Sequence, residues 1–89
     1  MDPQLKRSLA GIVKALQDGD AHQAESLCRD FLVVNVSSVP HMQLLSHALI
    51  KQERLDEARD QIEFALKIAP DFARLYEDLG SVQGMQRDY

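Results

Sequence analysis

Ala24 and Ala58 stand 34 residues apart, and so do Cys28 and Ile62, Phe31 and Ala65, and Leu32 and Leu66. The same offset carries Val36 onto Pro70, Met42 onto Tyr76, Leu45 onto Leu79, Ser46 onto Gly80 and Gln52 onto Gln86. Leu9, Ile12 and Leu16 precede Met42, Leu45 and Leu49 by 33 residues, so the first connection is one residue shorter. A period that preserves small residues along with large ones restricts the chain to a repeat architecture, in which each unit buries its apolar face against the next. Eighty-nine residues hold about two and a half such units and make one small domain.

Inside each period the apolar residues recur at helical spacing. A first helix runs from about Pro3 to Gln17, with Leu5, Leu9, Ile12, Val13 and Leu16 on one face and Asp2 placed to cap it ahead of Pro3. A second runs from Ala21 to Val34, with Ala24, Leu27, Cys28, Phe31 and Leu32 inward and Asp20 as its cap. The third, Val39 to Gln52, turns Met42, Leu45, Leu49 and Ile50 inward and takes Ser38 as cap. The fourth, Leu55 to Ile68, buries Ala58, Ile62, Ala65, Leu66 and Phe64. A fifth starts at Asp71, carries Phe72, Leu75, Tyr76, Leu79 and Val82, and weakens after Gly80 and Gly84, since Gly costs a helix about 1 kcal/mol against Ala. "FLVVNVSSV" is the one β-branched cluster, and its front half continues a helical pattern. The expected class is all-α.

These residues resemble the tetratricopeptide repeat, whose 34-residue signature runs W-x2-L-G-x2-Y, then A-x3-F, then P. Met42, Leu45, Ser46 and Leu49 occupy the first part of the middle unit, Ala58, Ile62, Ala65 and Pro70 the second, and Tyr76, Leu79 and Gly80 open the next. The likeness covers nearly the whole chain. The departures are the lack of Trp, Ser46 where Gly is usual, Val36 where the first Pro would fall, and a degenerate first unit. The resemblance implies a right-handed superhelical stack of antiparallel helix pairs, in units of about 5–37 and 38–71 with a partial unit 72–89. It also implies that Ala24 and Ala58 are small because backbones approach closely there. "MQRDY", 85–89, stops where the second helix of a third unit would begin, so a fragment of a longer protein is expected.

The composition narrows function. Ten basic residues against fourteen acidic leave a net charge of −4, the opposite of a nucleic-acid-binding surface. No apolar run reaches the ~18 residues of a membrane span, and the N-terminus lacks a signal-peptide core. The single cysteine, Cys28, excludes an internal disulfide; with no secretory signal, the expectation is a cytoplasmic protein. "NVS", 35–37, matches a glycosylation sequon but reads here as a turn. His22, His41 and His47 show no metal-ligand spacing and read as surface or groove residues. Cys28 lies on an inward stripe with no base fixed beside it. Acidic pairs such as Asp56–Asp60 and Glu53–Glu57 read as a solvated face, so neither catalysis nor a cofactor is expected.

What remains is surface. In the family the first helix of each unit lines a concave groove that binds peptides or other domains. By register the groove candidates are Arg7, Lys14, Gln43, His47, Lys51, Arg74 and Glu77, with Ala10, Leu44, Ile50, Ser81 and Met85 among them. The cations on these helices, set against acids on the second helices, suggest an acidic or carboxylate-bearing partner. A clamp for chaperone-tail carboxylates is not expected, because Ala10, Lys14, Leu44, Arg74 and Asp78 hold its places and only Arg74 fits. The expected function is therefore a non-catalytic module that binds a protein or peptide in that groove. An alternative is the N-terminal repeat region of a larger enzyme, such as a bacterial sulfotransferase or glycosyltransferase, on the phrases "RLDEA" and "LKIAPDF". A third is weak self-association through an uncovered apolar face of the fifth helix.

Overall fold

In the computed structural model, residues 3–87 are described. They form five α-helices and no strand: α1 (Pro3–Gln17), α2 (Ala21–Val34), α3 (Val39–Lys51), α4 (Leu55–Ile68) and α5 (Ala73–Arg87). The bounds of α1, α2 and α4 are those the periodicity predicts. α3 ends one residue early, with Gln52 as its C-cap. α5 begins at Ala73 instead of Asp71 and runs unbroken through Gly80 and Gly84 to Arg87. Burial of Leu75 and Val82 on one side of α5 offsets the poor helix propensity of those glycines. The expected cap at Asp2 lies outside the described residues.

Local chemistry accounts for most of the ends. The Asp20 carboxylate accepts the backbone N–H of Gln23 at 3.0 Å and caps α2. Ser38 occupies the N-cap of α3 but makes no side-chain bond to the helix; its hydroxyl turns to His41 instead. α4 has Arg54 at its N-cap and uses Asp56 and Glu57 in its first turn, where carboxylates oppose the positive end of the helix dipole.

The 34-residue period is written in the backbone hydrogen bonds of the turns. Asp20 N bonds Ala15 O at 2.9 Å, and Arg54 N bonds Leu49 O at 2.9 Å. Asn35 N to Phe31 O at 3.0 Å is matched by Ala69 N to Ala65 O at 2.9 Å, and Ser38 N to Asn35 O by Phe72 N to Ala69 O. Gly19 and Glu53, again 34 apart, both adopt left-handed backbone, with φ of 81° and 60°. Glycine takes that conformation freely, whereas for Glu53 it costs roughly 1–2 kcal/mol. The turn geometry is therefore set by closing the helix pair, not by residue preference.

Consecutive helices pack on each other, and α1 also reaches α3. The core is one cluster running along the molecule: Ile12 and Ala15 from α1, Ala24 and Cys28 from α2, Met42, Leu45, Ala48 and Leu49 from α3, Ala58, Ile62 and Ala65 from α4, Leu75 and Val82 from α5. Ala24 and Ala58 are both fully buried, as are the matched Cys28 and Ile62. Only α3, which has neighbours on every side but one, buries polar residues in quantity: His41, Gln43 and Ser46.

Four residues expected inward are not. Val13, Phe64, Phe72 and Tyr76 are 39–53% exposed. Each lies at the margin of its apolar stripe, where the neighbouring helix does not reach. Tyr76 uses its hydroxyl instead, donating to Pro70 O at 2.9 Å. On α5 itself Leu75 and Val82 are fully covered, leaving Phe72, Tyr76 and Met85 as its exposed apolar residues.

Candidate functional site

The helices α1, α3 and α5 carry the residues that the register assigns to a binding face, and the structure divides them into two groups. Arg7, Lys51, Arg74 and Glu77 are exposed, with no side-chain partner among the described residues. Lys14 is also exposed but bridges to Asp18 at 3.3 Å, one turn on along its own helix. Gln43 and His47 behave differently. Gln43 is only 9% exposed. Its amide donates to Asp78 Oδ2 at 3.2 Å, and His47 Nε2 lies 3.2 Å from the same oxygen. The other oxygen of Asp78, Oδ1, has no partner among the described residues. No buried side-chain oxygen or nitrogen lacks one, so Oδ1 reaches solvent.

Sequence reasoning placed Gln43 and His47 in a groove as free groups and listed Asp78 only among the misfits for a carboxylate clamp. In the structure α5 brings Asp78 to both. The available signal was that Gln43 and His47 lie one turn apart on one helix edge, which repeat stacking would turn towards the helix about 34 residues on.

His41 corrects the sequence reading more sharply. Expected on the surface or in the groove, it is fully buried. Its Nε2 is 2.9 Å from Ser8 Oγ on α1, and its Nδ1 is 2.6 Å from Ser38 Oγ. The imidazole stacks on Phe31 of α2, with ring centroids 3.7 Å apart and planes 8° from parallel. One hydroxyl must donate to the ring and the other accept from it, so the arrangement fits a neutral imidazole. Burial lowers its pKa from the ordinary 6.5, and no carboxylate lies beside it to oppose the shift. The site has the elements of a Ser–His pair, but the ring is sealed under Phe31 and acts as a structural tie among three helices.

The acids of the second helices are engaged, not merely solvated. Glu25 of α2 accepts from Gln52 at 3.0 Å, from Arg54 at 2.7 Å and from Arg29 at 2.9 Å. Burial raises its pKa, but these three donors together outweigh that and hold it down to about 2. Glu57 takes both Arg54 nitrogens, at 3.0 and 2.6 Å. Asp56 accepts from Gln86 at 2.6 Å, and Arg59 donates to Gln86 at 3.4 Å. Gln52 to Glu25 and Gln86 to Arg59 are repeat-equivalent links: the end of each first helix is tied to the preceding second helix.

Cys28 is buried, and desolvation pushes its thiol up to about 12, which leaves it unreactive near neutral pH. Among the described residues no three His, Cys, Asp or Glu side chains are placed to hold a metal ion, and no helix is long and apolar enough to cross a membrane. An open cleft of about 550 Å³ lies over α3 between α2 and α4, lined by Val33, Val36, Met42, Leu45 and Phe64 with Arg29 at its edge. It shares no residue with the predicted groove. Compared with protein-family models the chain matches none, and a search of curated proteins returns no match either.

Proposed function

We propose that the chain is a non-catalytic interaction module of tetratricopeptide-like architecture. In this reading the helix pairs α1–α2 and α3–α4, with α5, stack as successive units, and a peptide or protein segment lies across α1, α3 and α5. The observation that carries the reading is the state of the cations. Arg7, Lys51 and Arg74, one from each of these helices, are exposed and have no partner in the described chain, in a protein of net charge −4. On the second helices, by contrast, Arg29 and Arg54 are consumed by Glu25 and Glu57. Cations left unpaired beside an excess of acid favour a partner that presents carboxylates, by steering and by charge-assisted hydrogen bonds.

The test is an array of immobilised 12-residue peptides of randomised sequence, probed with the labelled protein. Bound peptides should be enriched in Asp and Glu, and combined Lys51→Glu and Arg74→Glu substitutions should cut that signal about tenfold, with a matching loss as salt is raised. Binding that ignores both salt and the charge reversal would remove the basis of the proposal.

A further inference from the structure

Asp78 is the one acid fixed at the centre of the α1–α3–α5 face. Three residues before it and four after it, Leu75 and Val82 are fully buried, so the rotation of α5 about its axis is set by packing. The carboxylate is then held from the opposite side. Gln43 Nε2 and His47 Nε2 both lie 3.2 Å from Oδ2, and Gln43 is too buried to swing away into water. The Asp78 side chain keeps 18% of its surface exposed.

Half of its hydrogen-bonding capacity is thus supplied within the chain, and the solvent-facing Oδ1 is left as a pre-oriented acceptor. Nearby cations do not use it. Arg74, one turn earlier on α5, extends into solvent unpaired, and so does Lys51. A carboxylate can only accept, and Glu77 adds a second negative charge next to it, so an acidic side chain is repelled at this point.

We propose that Asp78 is a specificity-determining residue of the face and that its Oδ1 takes the ammonium or guanidinium group of a Lys or Arg in the partner. The inference rests on the binding-module reading above. It adds that the partner segment is of mixed charge, with one basic residue at Asp78 and acidic residues beside it towards Lys51 and Arg74. Gln43 and His47 are positioning residues that aim the carboxylate. A charge-assisted bond to a pre-oriented, partly desolvated oxygen is among the stronger contacts an exposed face can offer.

The same randomised peptide array separates the outcomes. Wild-type protein should select Lys or Arg at one position about tenfold over neutral residues, within otherwise acidic peptides. Asp78→Asn keeps an oxygen for Gln43 and His47 and removes the charge; it should lose the basic preference while the acidic enrichment remains. Acidic enrichment without a basic position, or a basic preference undiminished in Asp78→Asn, overturns this inference and leaves the module reading standing. No peptide bound above background overturns both.

A second measurement avoids any variant. Titration of the wild-type protein with N-acetyl-argininamide, followed by NMR, should shift the Gln43 side-chain amide, and the isosteric citrulline derivative should not. Equal shifts with both, or with neither, overturn the assignment.

Discussion

Replacing His41 by Phe tests the tie among α1, α2 and α3. Phenylalanine keeps a flat ring against Phe31 and loses both bonds, to Ser8 at 2.9 Å and to Ser38 at 2.6 Å. A net hydrogen bond contributes about 1 kcal/mol, and both hydroxyls are partly exposed and can rehydrate. His41→Phe should therefore cost about 1–2 kcal/mol at pH 7, less whatever the larger apolar ring regains by burial.

The pH profile is the sharper readout. The folded state lowers the pKa of His41 below its ordinary 6.5, so the unfolded chain binds the proton first as pH falls. Stability from this residue is fully present above pH 6.5. It is lost as pH falls from there through the folded value, and is level below it. The slope within that window reaches about 1.4 kcal/mol per pH unit. The third residue of α3 is also a poor place for an imidazolium, because the helix N-terminus is positive. In a domain of this size 1 kcal/mol moves Tm by about 4–8 °C. Urea unfolding of wild type and His41→Phe between pH 7.5 and 5 measures the difference, and His22 and His47, common to both proteins, cancel. The wild type should lose stability relative to the variant as pH falls. Parallel profiles would refute the sealed, neutral imidazole.

Two further outcomes are expected. Ala58→Leu, in a site with no exposed surface, should destabilise by about 1–3 kcal/mol through overpacking, whereas Ala73→Leu on the exposed start of α5 should stay within about 0.5 kcal/mol; thermal melts compare them. Glu25→Gln should cost on the order of 1–2 kcal/mol at pH 6 after allowance for solvent screening. That loss should fade as pH drops below the ordinary carboxylate value of 4.5 towards 2, because wild-type Glu25 then protonates too; an unchanged gap at pH 2 would contradict the three-donor network.

The helices and their order were legible in the residues alone, because helical period and breakers are local. Asp20 before Ala21 and the Ala–Pro step at 69–70 mark ends that any neighbour would leave in place. The repeated small residues were legible for the same reason: Ala24 and Ala58 are buried wherever the period holds.

Tertiary structure decided the polar contacts. Ser8–His41, Gln43–Asp78, His47–Asp78, Gln52–Glu25 and Arg54–Glu25 join residues 27–35 positions apart. Periodicity states which face of a helix is inward. It does not state which side chain of the next helix arrives there, or at what height. Apolar residues tolerate that ignorance, since burial is non-directional. A hydrogen bond needs its partner within about 3 Å and in line. Residues at the edges of a stripe, such as His41 buried and Tyr76 or Phe64 exposed, therefore take their character from how neighbouring helices stack.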